Sequence, residues 1–226
     1  MARAFGVLRF ITYGAFATTR NVIAAIVLIP AMAQAEQVTI AALGDSLTQG
    51  YGLIEQDGFV PQMETWLREK GADVEMINAG VSGDTTAGGL SRVGWTLTPD
   101  VDAMIVALGG NDLLRGIAPE VARSNLDGIL QAADAAGVPV LLVGMQAPGN
   151  YGPDYKAAFD AIYPELAEAY DSQLFPSFFQ GILSDDLSSA RAQFMQPDGI
   201  HPNAEGVARI VDEMGPAVLD LIARVE

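Results

Sequence analysis

Two nearly continuous apolar runs, Asp102–Leu108 (DAMIVAL) and Val138–Gly144 (VPVLLVG), most constrain how this chain can fold. Strands that are covered on both faces have this pattern, because neither side of such a strand meets water. Further strands are predicted at Gln37–Leu43 and Val74–Asn78, with a short one at Gln173–Phe179. These runs predict a buried, parallel sheet.

Helical segments alternate with the predicted strands. Pro164 should kink or divide the third of them, and Asn203 or Pro202 should begin the last. The predicted helices are Phe59–Lys70, Pro119–Gly137, Tyr155–Tyr170 and Ala204–Arg224. The alternation indicates right-handed βαβ units in one α/β domain, a three-layer α/β/α sandwich. A chain of 226 residues that is 50% hydrophobic is long enough to build a single core of this kind.

The first 35 residues have the pattern of a secretory signal peptide. Three arginines and no acidic residue precede Asn21–Ile29, an apolar stretch too short to span a bilayer, and Ala33-Gln-Ala35 follows as a small-x-small cleavage site. We expect cleavage after Ala35, which leaves a mature domain over residues 36–226. A retained membrane anchor is the alternative, but Arg20 interrupts the apolar region. A start codon placed too early would explain the long basic region.

Composition excludes several classes of site and partner. The chain has no cysteine and a single histidine, which excludes disulfides, thiolate chemistry and His-rich metal sites. Its formal charge is −16 and becomes −19 without the first 35 residues. Such a surface repels phosphate backbones, so we expect no nucleic-acid partner.

Polar and glycine-rich loops follow the predicted strands. Ser46 comes after the first strand, Gly80 after the second and Asn111 after the third, while Asp198 and His201 stand near the C-terminus. The carboxyl ends of parallel strands meet at one edge of a sheet, where open α/β sheets bind their ligands. We therefore expect these residues to lie close together.

The residue types at these positions suit acyl transfer. A serine hydroxyl needs a base, and the imidazole of His201, three residues after Asp198, is suited to that role because it titrates near neutral pH. The N–H groups of Ser46 and Gly80 and the amide of Asn111 could bind an oxyanion. Taken singly, His201 could instead be a solvated or capping residue, and Asn111 a residue of an Asx-turn.

Taken together, the four blocks resemble the SGNH, or GDSL, hydrolases, which are named for Ser, Gly, Asn and His in separate blocks. Here the blocks read Gly-Asp-Ser46, Gly80, Gly109-Gly-Asn111-Asp and Asp198-Gly-Ile-His201. The stretches NAGVSGDTT, LGGNDLLRG, NYGPDYKAAFDAIYPELA and MQPDGIHPN are similar to the bacterial periplasmic subgroup of thioesterase I, lysophospholipase L1 and arylesterase. The resemblance covers essentially the whole mature chain.

The resemblance implies a flavodoxin-like sheet of five parallel strands and a set of catalytic roles. Ser46 would be the nucleophile, His201 the base and Asp198 the residue that orients it, with an oxyanion hole formed by Ser46 N–H, Gly80 N–H and the Asn111 amide. The implied activity is hydrolysis of carboxylic esters and thioesters, including aryl esters, acyl esters and lysophospholipids, through an acyl-enzyme. Hydrolysis by a serine nucleophile would need no cofactor, and we expect none. We expect a periplasmic or secreted monomer without a stable membrane anchor.

Two other functions are compatible with the fold that the sequence predicts. A carbohydrate O-acetyl esterase would use the same residues, although the Phe- and Tyr-rich segment Tyr151–Phe179 favours acyl chains. A non-catalytic lipid- or glycan-binding module usually lacks one catalytic group, and none is lacking here. The candidate acyl-binding segments are two predicted loops, SGDTTAGGL (residues 82–90) and APGNYGPDY (residues 147–155), and Asp45 is expected to brace its own turn. No Gly-x-Ser-x-Gly elbow occurs, which argues against the ordinary α/β-hydrolase fold.

The signal-peptide pattern makes a direct prediction. Protein recovered from the periplasmic fraction should begin at Glu36, because the small-x-small site ends at Ala35. N-terminal sequencing measures this, and an intact Met1 in the membrane pellet would contradict it.

Overall fold

The central element of the fold is a parallel sheet. A computed structural model describes residues 37–182 and 187–225, with the backbone alone at 187–189. The predicted signal peptide, residues 1–35, lies outside these ranges. In the described part of the chain the sheet has five strands, in the order β2-β1-β3-β4-β5, and every pairing is parallel. They are β1 (Val38–Gly44), β2 (Val74–Gly80), β3 (Ala103–Ala107), β4 (Val140–Val143) and β5 (Gln173–Phe175).

Helices cover both faces of this sheet. The helices of the described residues are α1 (Ser46–Gln49), α2 (Phe59–Glu69), α3 (Thr86–Thr96), α4 (Gly110–Leu114), α5 (Pro119–Ala136), α6 (Pro153–Asp160), α7 (Ile162–Ala169), α8 (Leu187–Phe194) and α9 (Ala204–Ile222). The crossovers through α2 and α3 run in opposite directions across the sheet, so right-handed connections place these helices on opposite faces. Helix α9 packs against α2, and α5 packs against α3. The predicted three-layer α/β/α sandwich is confirmed.

Strands β1, β3 and β4 form the core, as their apolar sequences predict. Ile40, Leu43, Met104 and Ile105 are fully buried between the two helical layers. Within the residues that the structure describes, no helix combines the length and the apolar character that crossing a bilayer requires.

Two proline residues account for differences between predicted and observed elements. The helix predicted over Tyr155–Tyr170 is two helices, α6 and α7, which meet at Ala161 rather than at Pro164. The break precedes the proline because its ring has no N–H and collides with the carbonyl four residues earlier. Strand β5 ends at Phe175, well short of the predicted Phe179, since Pro176 follows it.

Helix α3 corrects the prediction that residues 82–90 form a loop. Its three glycines, Gly88, Gly89 and Gly94, disfavour a helix by propensity. A Cβ at Gly89 would overlap the side chain of Leu108, so glycine is what lets the helix approach the end of β3. The side chain of Thr85 accepts the N–H of Gly88 as an N-cap. Tertiary packing and capping therefore outweigh the low propensity of this segment.

Asp112 joins the start of α3 to α4, the short helix that follows β3. This side chain is completely buried. One of its oxygens accepts the N–H of Thr86 at 2.8 Å and the other accepts the Thr86 hydroxyl at 2.7 Å. The segments that leave β2 and β3 are held together by these bonds.

Replacement of Asp112 should therefore destabilise the fold. Asp112→Ala leaves the N–H and O–H of Thr86 without their acceptor, and the free energy of unfolding should fall by about 2–3 kcal/mol. Urea denaturation measures the change. Asp100→Ala, at an exposed carboxylate, is the control and should change stability by less than about 0.5 kcal/mol. Equal stability of the two variants would contradict the role of Asp112.

Candidate active site

Three side chains distant in sequence form a hydrogen-bonded chain at the carboxyl edge of the sheet. His201 Nε2 lies 2.8 Å from Ser46 Oγ, and His201 Nδ1 lies 2.6 Å from Asp198 Oδ2. Ser46 is the first residue of α1, directly after the turn that leaves β1. The structure thus brings together the three residues that the sequence singled out for nucleophile, base and orienting carboxylate.

A tight turn places Asp198 and His201. Gly199 donates its N–H to Gln196 O, and its φ of 66° lies in the left-handed region that favours glycine. Asp198 Oδ1 accepts the N–H groups of Ile200 at 2.9 Å and His201 at 3.1 Å, which leaves Oδ2 for the imidazole. The turn itself therefore aims the carboxylate at the ring.

The contacts of Asp198 also fix its charge and the tautomer of His201. Its hydrogen bond with His201, followed by those from the backbone, lowers the pKa of Asp198 from 3.8 to about 2. The carboxylate is ionised and can only accept, so Nδ1 carries the proton and Nε2 is left as an acceptor for the Ser46 hydroxyl.

Tyr51 packs on the imidazole and was not anticipated from the sequence. Its ring centroid lies 4.6 Å from that of His201, at an interplanar angle of 37°. Gln196 Nε2 donates to Tyr51 O and to Pro202 O, so one side chain joins the loop after α1 to the segment carrying His201. No sequence pattern reports such a contact, because Tyr51 and His201 are far apart along the chain.

Asn111 stands in the first turn of α4, just beyond the end of β3. Gly109, two residues before Asn111, has a φ of 118°. A Cβ on Gly109 would overlap the Tyr163 hydroxyl. That hydroxyl donates to Leu108 O at 2.9 Å. Asn111 Nδ2 donates to Asp45 Oδ2 at 3.2 Å. The glycine therefore sets the turn that precedes Asn111, and the Asp45 carboxylate holds the amide.

Asp45 has two partners, of which the sequence predicted one. Its Oδ1 accepts the N–H of Leu47 at 3.0 Å, which confirms that Asp45 braces its turn, and its Oδ2 accepts from Asn111. Only 1% of the residue is exposed. Burial raises the pKa of Asp45 from 3.8 to about 6, against the lowering by its hydrogen bonds with Leu47 and Asn111.

Gly80 does not occupy the position expected of an oxyanion donor. Its N–H donates to Asn78 Oδ1 at 3.0 Å, and it is not among the residues that line the cavity beside Ser46. A Cβ on Gly80 would overlap the backbone of Gln49, so this glycine is needed for close packing of β2 on α1.

Gly83, three residues later, is the glycine that lines the cavity together with Ser46 and Asn111. Among the described residues its N–H has no acceptor, and the same is true of the N–H of Ser46. The sequence NAGVSG offered two glycines after the second strand, and their spacing did not show which one reaches the site.

The Arg92 side chain joins the ends of β1 and β2 by hydrogen bonds to both. Its guanidinium donates to Gly44 O at 2.8 Å, to Ala79 O at 2.6 Å and to Asp84 Oδ2 at 2.7 Å. Gly44 lies two residues before Ser46, and Asp84 directly follows Gly83. One planar cation therefore fixes both loops that present backbone N–H groups to the cavity.

A cavity of about 990 Å³ opens beside the three hydrogen-bonded residues. Its lining is mainly apolar, and it takes in parts of both predicted acyl-binding segments, at Ser82–Gly83 and Ala147–Tyr151. Side chains outside these two segments also line it, including Phe179, Ile182, Ala190 and Met195. Of these four, only Phe179 lies in the Phe- and Tyr-rich segment that the sequence associated with acyl chains.

Comparison with known proteins agrees with this geometry. Residues 42–209 match the GDSL-like Lipase/Acylhydrolase family. The chain is 38% identical to Esterase TesA of Pseudomonas aeruginosa over 190 residues, which is 84% of this chain and 92% of that protein. It is 36% identical to Thioesterase 1/protease 1/lysophospholipase L1 of Escherichia coli over 185 residues, or 81% and 85% of the two chains.

A solved structure has the same fold as this chain. AlinE4, described as an SGNH-hydrolase family esterase, superposes with a TM-score of 0.67 at 45% identity and covers 83% of this chain and 97% of its own. With its parallel sheet, its Ser-His-Asp contacts and these relatives, the chain belongs to the GDSL-like lipase/acylhydrolase family and is a serine esterase of the SGNH fold.

Proposed function

We propose that Ser46, His201 and Asp198 carry out ester hydrolysis in this chain. The observation that carries the proposal is the hydrogen-bonded series from Ser46 Oγ through His201 to Asp198 Oδ2, at 2.8 Å and 2.6 Å. Ser46 and His201 line a mainly apolar cavity. Ser46 is the nucleophile, His201 the general base and then acid, and Asp198 the carboxylate that holds the ring.

In the first half of the reaction the enzyme is acylated. Ser46 Oγ attacks the carbonyl carbon of the ester while His201 Nε2 takes the hydroxyl proton. The carbonyl oxygen becomes an oxyanion, which accepts hydrogen bonds from the N–H groups of Ser46 and Gly83 and from the Asn111 amide. When the intermediate collapses, the C–O bond to the alcohol breaks and His201 returns the proton to the leaving oxygen.

The second half of the reaction repeats these transfers with water. Water attacks the acyl-enzyme and gives a proton to His201, and a second oxyanion forms in the same hole. Collapse breaks the bond to Ser46 Oγ, which regains its proton from His201 as the carboxylic acid leaves. Gly83 takes the place of Gly80 in this scheme, because the N–H of Gly80 is bound to Asn78.

The cavity supports acyl esters as the substrate class. Its size of about 990 Å³ and its apolar lining, with Leu113, Met145 and Phe179, suit a hydrocarbon chain better than a hydroxylated sugar. The names of the relatives include an esterase and a thioesterase and lysophospholipase, so thioesters and lysophospholipids are proposed as further substrates.

We also propose that the protein is exported and works as a monomer of residues 36–226. Export is supported by the arginines, apolar stretch and Ala33-Gln-Ala35 site of the N-terminal region. A monomer is supported by the site itself, since one chain supplies the nucleophile, the base, the orienting carboxylate and the oxyanion donors.

Two variants separate the nucleophile from the oxyanion hole. Ser46→Ala should abolish both turnover and labelling by a fluorophosphonate. Asn111→Ala should keep labelling but lose about 10²–10³ in kcat, with KM little changed, because its amide acts on charge that develops in the transition state. Steady-state kinetics on p-nitrophenyl acetate measures both variants, and circular dichroism checks their folding. Wild-type kcat in a folded Asn111→Ala would remove Asn111 from the oxyanion hole.

The same assay, run on p-nitrophenyl esters of increasing chain length, tests the substrate class. For an apolar acyl site kcat/KM should rise with chain length beyond acetate. Preference for acetate together with hydrolysis of a glycan acetyl ester would favour the carbohydrate esterase instead.

Asp198→Asn tests the role of the orienting carboxylate. The new Oδ1 still accepts the N–H groups of Ile200 and His201, but the new amide faces Nδ1 with a donor. This favours the tautomer whose Nε2 carries the proton and cannot accept from Ser46, so kcat should fall by up to about 10⁴-fold with an unchanged melting curve. Asp171→Asn, at an exposed carboxylate bound to Arg224, is the control and should keep wild-type kcat. A kcat for Asp198→Asn within a factor of about two of wild type would contradict the orienting role.

A further inference from the structure

We propose that Asp45 is a positioning residue for the reaction, because its carboxylate holds the Asn111 amide in the orientation that directs an N–H at the oxyanion. This inference rests on the proposed role of Asn111. It gives a chemical role to the second residue of the Gly-Asp-Ser turn, for which the sequence predicts only that it braces that turn.

The geometry supports the proposal. Both oxygens of Asp45 are used, Oδ1 by the N–H of Leu47 at 3.0 Å and Oδ2 by Asn111 Nδ2 at 3.2 Å. The primary amide of Asn111 has two N–H groups, so one can bind Asp45 while the other remains for a ligand in the cavity. A Cβ at Gly110 would lie 3.3 Å from Asp45 Oδ2, so a small residue there gives the carboxylate close access to the turn.

The charge of Asp45 explains why the orientation is fixed. With a pKa of about 6, the carboxyl is mostly ionised at neutral pH and can only accept a hydrogen bond. An Asn side chain that turned its carbonyl oxygen toward Asp45 would place two acceptors in contact in a buried site. The nitrogen of Asn111 must therefore face Asp45, and an N–H must face the cavity.

An isosteric change at Asp45 isolates this effect. In Asp45→Asn the new Oδ1 can still accept from Leu47, but the new amide presents a donor to the donor of Asn111. Either Asn111 turns over, which places its carbonyl oxygen toward the oxyanion, or the bond is lost. In both cases the transition state loses a donor while the turn that carries Ser46 keeps its cap.

A double-mutant cycle tests whether Asp45 acts through Asn111. Asp45→Asn should lower kcat on p-nitrophenyl acetate by at least about tenfold in the wild-type background, with KM little changed. In the Asn111→Ala background the same substitution should change kcat by less than about twofold, because the group that it positions is gone. Asp102→Asn, at a carboxylate that accepts from Thr39 N at the other end of β1, is the control and should have the same small effect in both backgrounds.

The outcomes are separable. An equal loss from Asp45→Asn in both backgrounds would overturn the positioning role and leave Asp45 as a structural brace. Wild-type kcat in Asn111→Ala would instead overturn the proposed oxyanion role of Asn111, on which this inference depends. Full activity in Asp45→Asn with Asn111 intact would overturn the positioning role alone.

A measurement on the wild-type protein decides the matter if Asp45→Asn does not fold. The carboxyl carbon of Asp45 and the side-chain amide of Asn111, identified by its absence from the Asn111→Ala spectrum, should shift together in an NMR titration with a midpoint near pH 6. His201 and Asp112 also act electrostatically on Asp45, so the titration is repeated in His201→Ala. An Asn111 amide that stays unmoved while Asp45 titrates would overturn the proposal.

Discussion

Parallel pairing of β1 with both β2 and β3 is the constraint on which the site depends. Gly44 at the end of β1 is paired with Gly80 of β2 on one side and with Ala107 of β3 on the other. The three strands therefore end side by side at the same edge of the sheet. The crossovers on either side of β1 run in opposite directions, which opens a crevice at this point. Ser46, Gly83 and Asn111 come from the three loops that border it.

Three polar side chains, two of them buried and one half-buried, hold these segments in fixed relative positions. Arg92 binds the loops after β1 and β2, Asp112 binds α4 to the start of α3, and Asp45 binds the turn after β1 to Asn111. Each contact satisfies polar groups that are buried or partly buried, and each restrains Ser46 or one of the proposed oxyanion donors. An oxyanion hole works only when its donors are fixed before the charge forms, so these bonds link folding to catalysis.

Asp45 and Asp198, the two carboxylates near Ser46, have different pKa values because their surroundings differ. Asp198, partly exposed and bound to His201 and two backbone N–H groups, has a pKa of about 2, whereas burial gives Asp45 a pKa of about 6. The first stays ionised wherever His201 can act as a base. The second gains its proton as the pH falls through about 6, so a change in the charge of Asp45 can contribute to the acidic side of the pH profile.

The sequence by itself predicted the parallel sheet and most of its helices, and it singled out Ser46 and His201 as the proposed nucleophile and base. Buried strands need continuous apolar runs, and a chain with one histidine offers one imidazole base. What it left undecided depends on contacts between distant segments. Which glycine after β2 faces the cavity, the helix at Thr86, the ring of Tyr51 on His201 and the bond from Asn111 to Asp45 follow from packing and register. Local sequence cannot encode these features, because each is decided by an atom that another loop brings into contact.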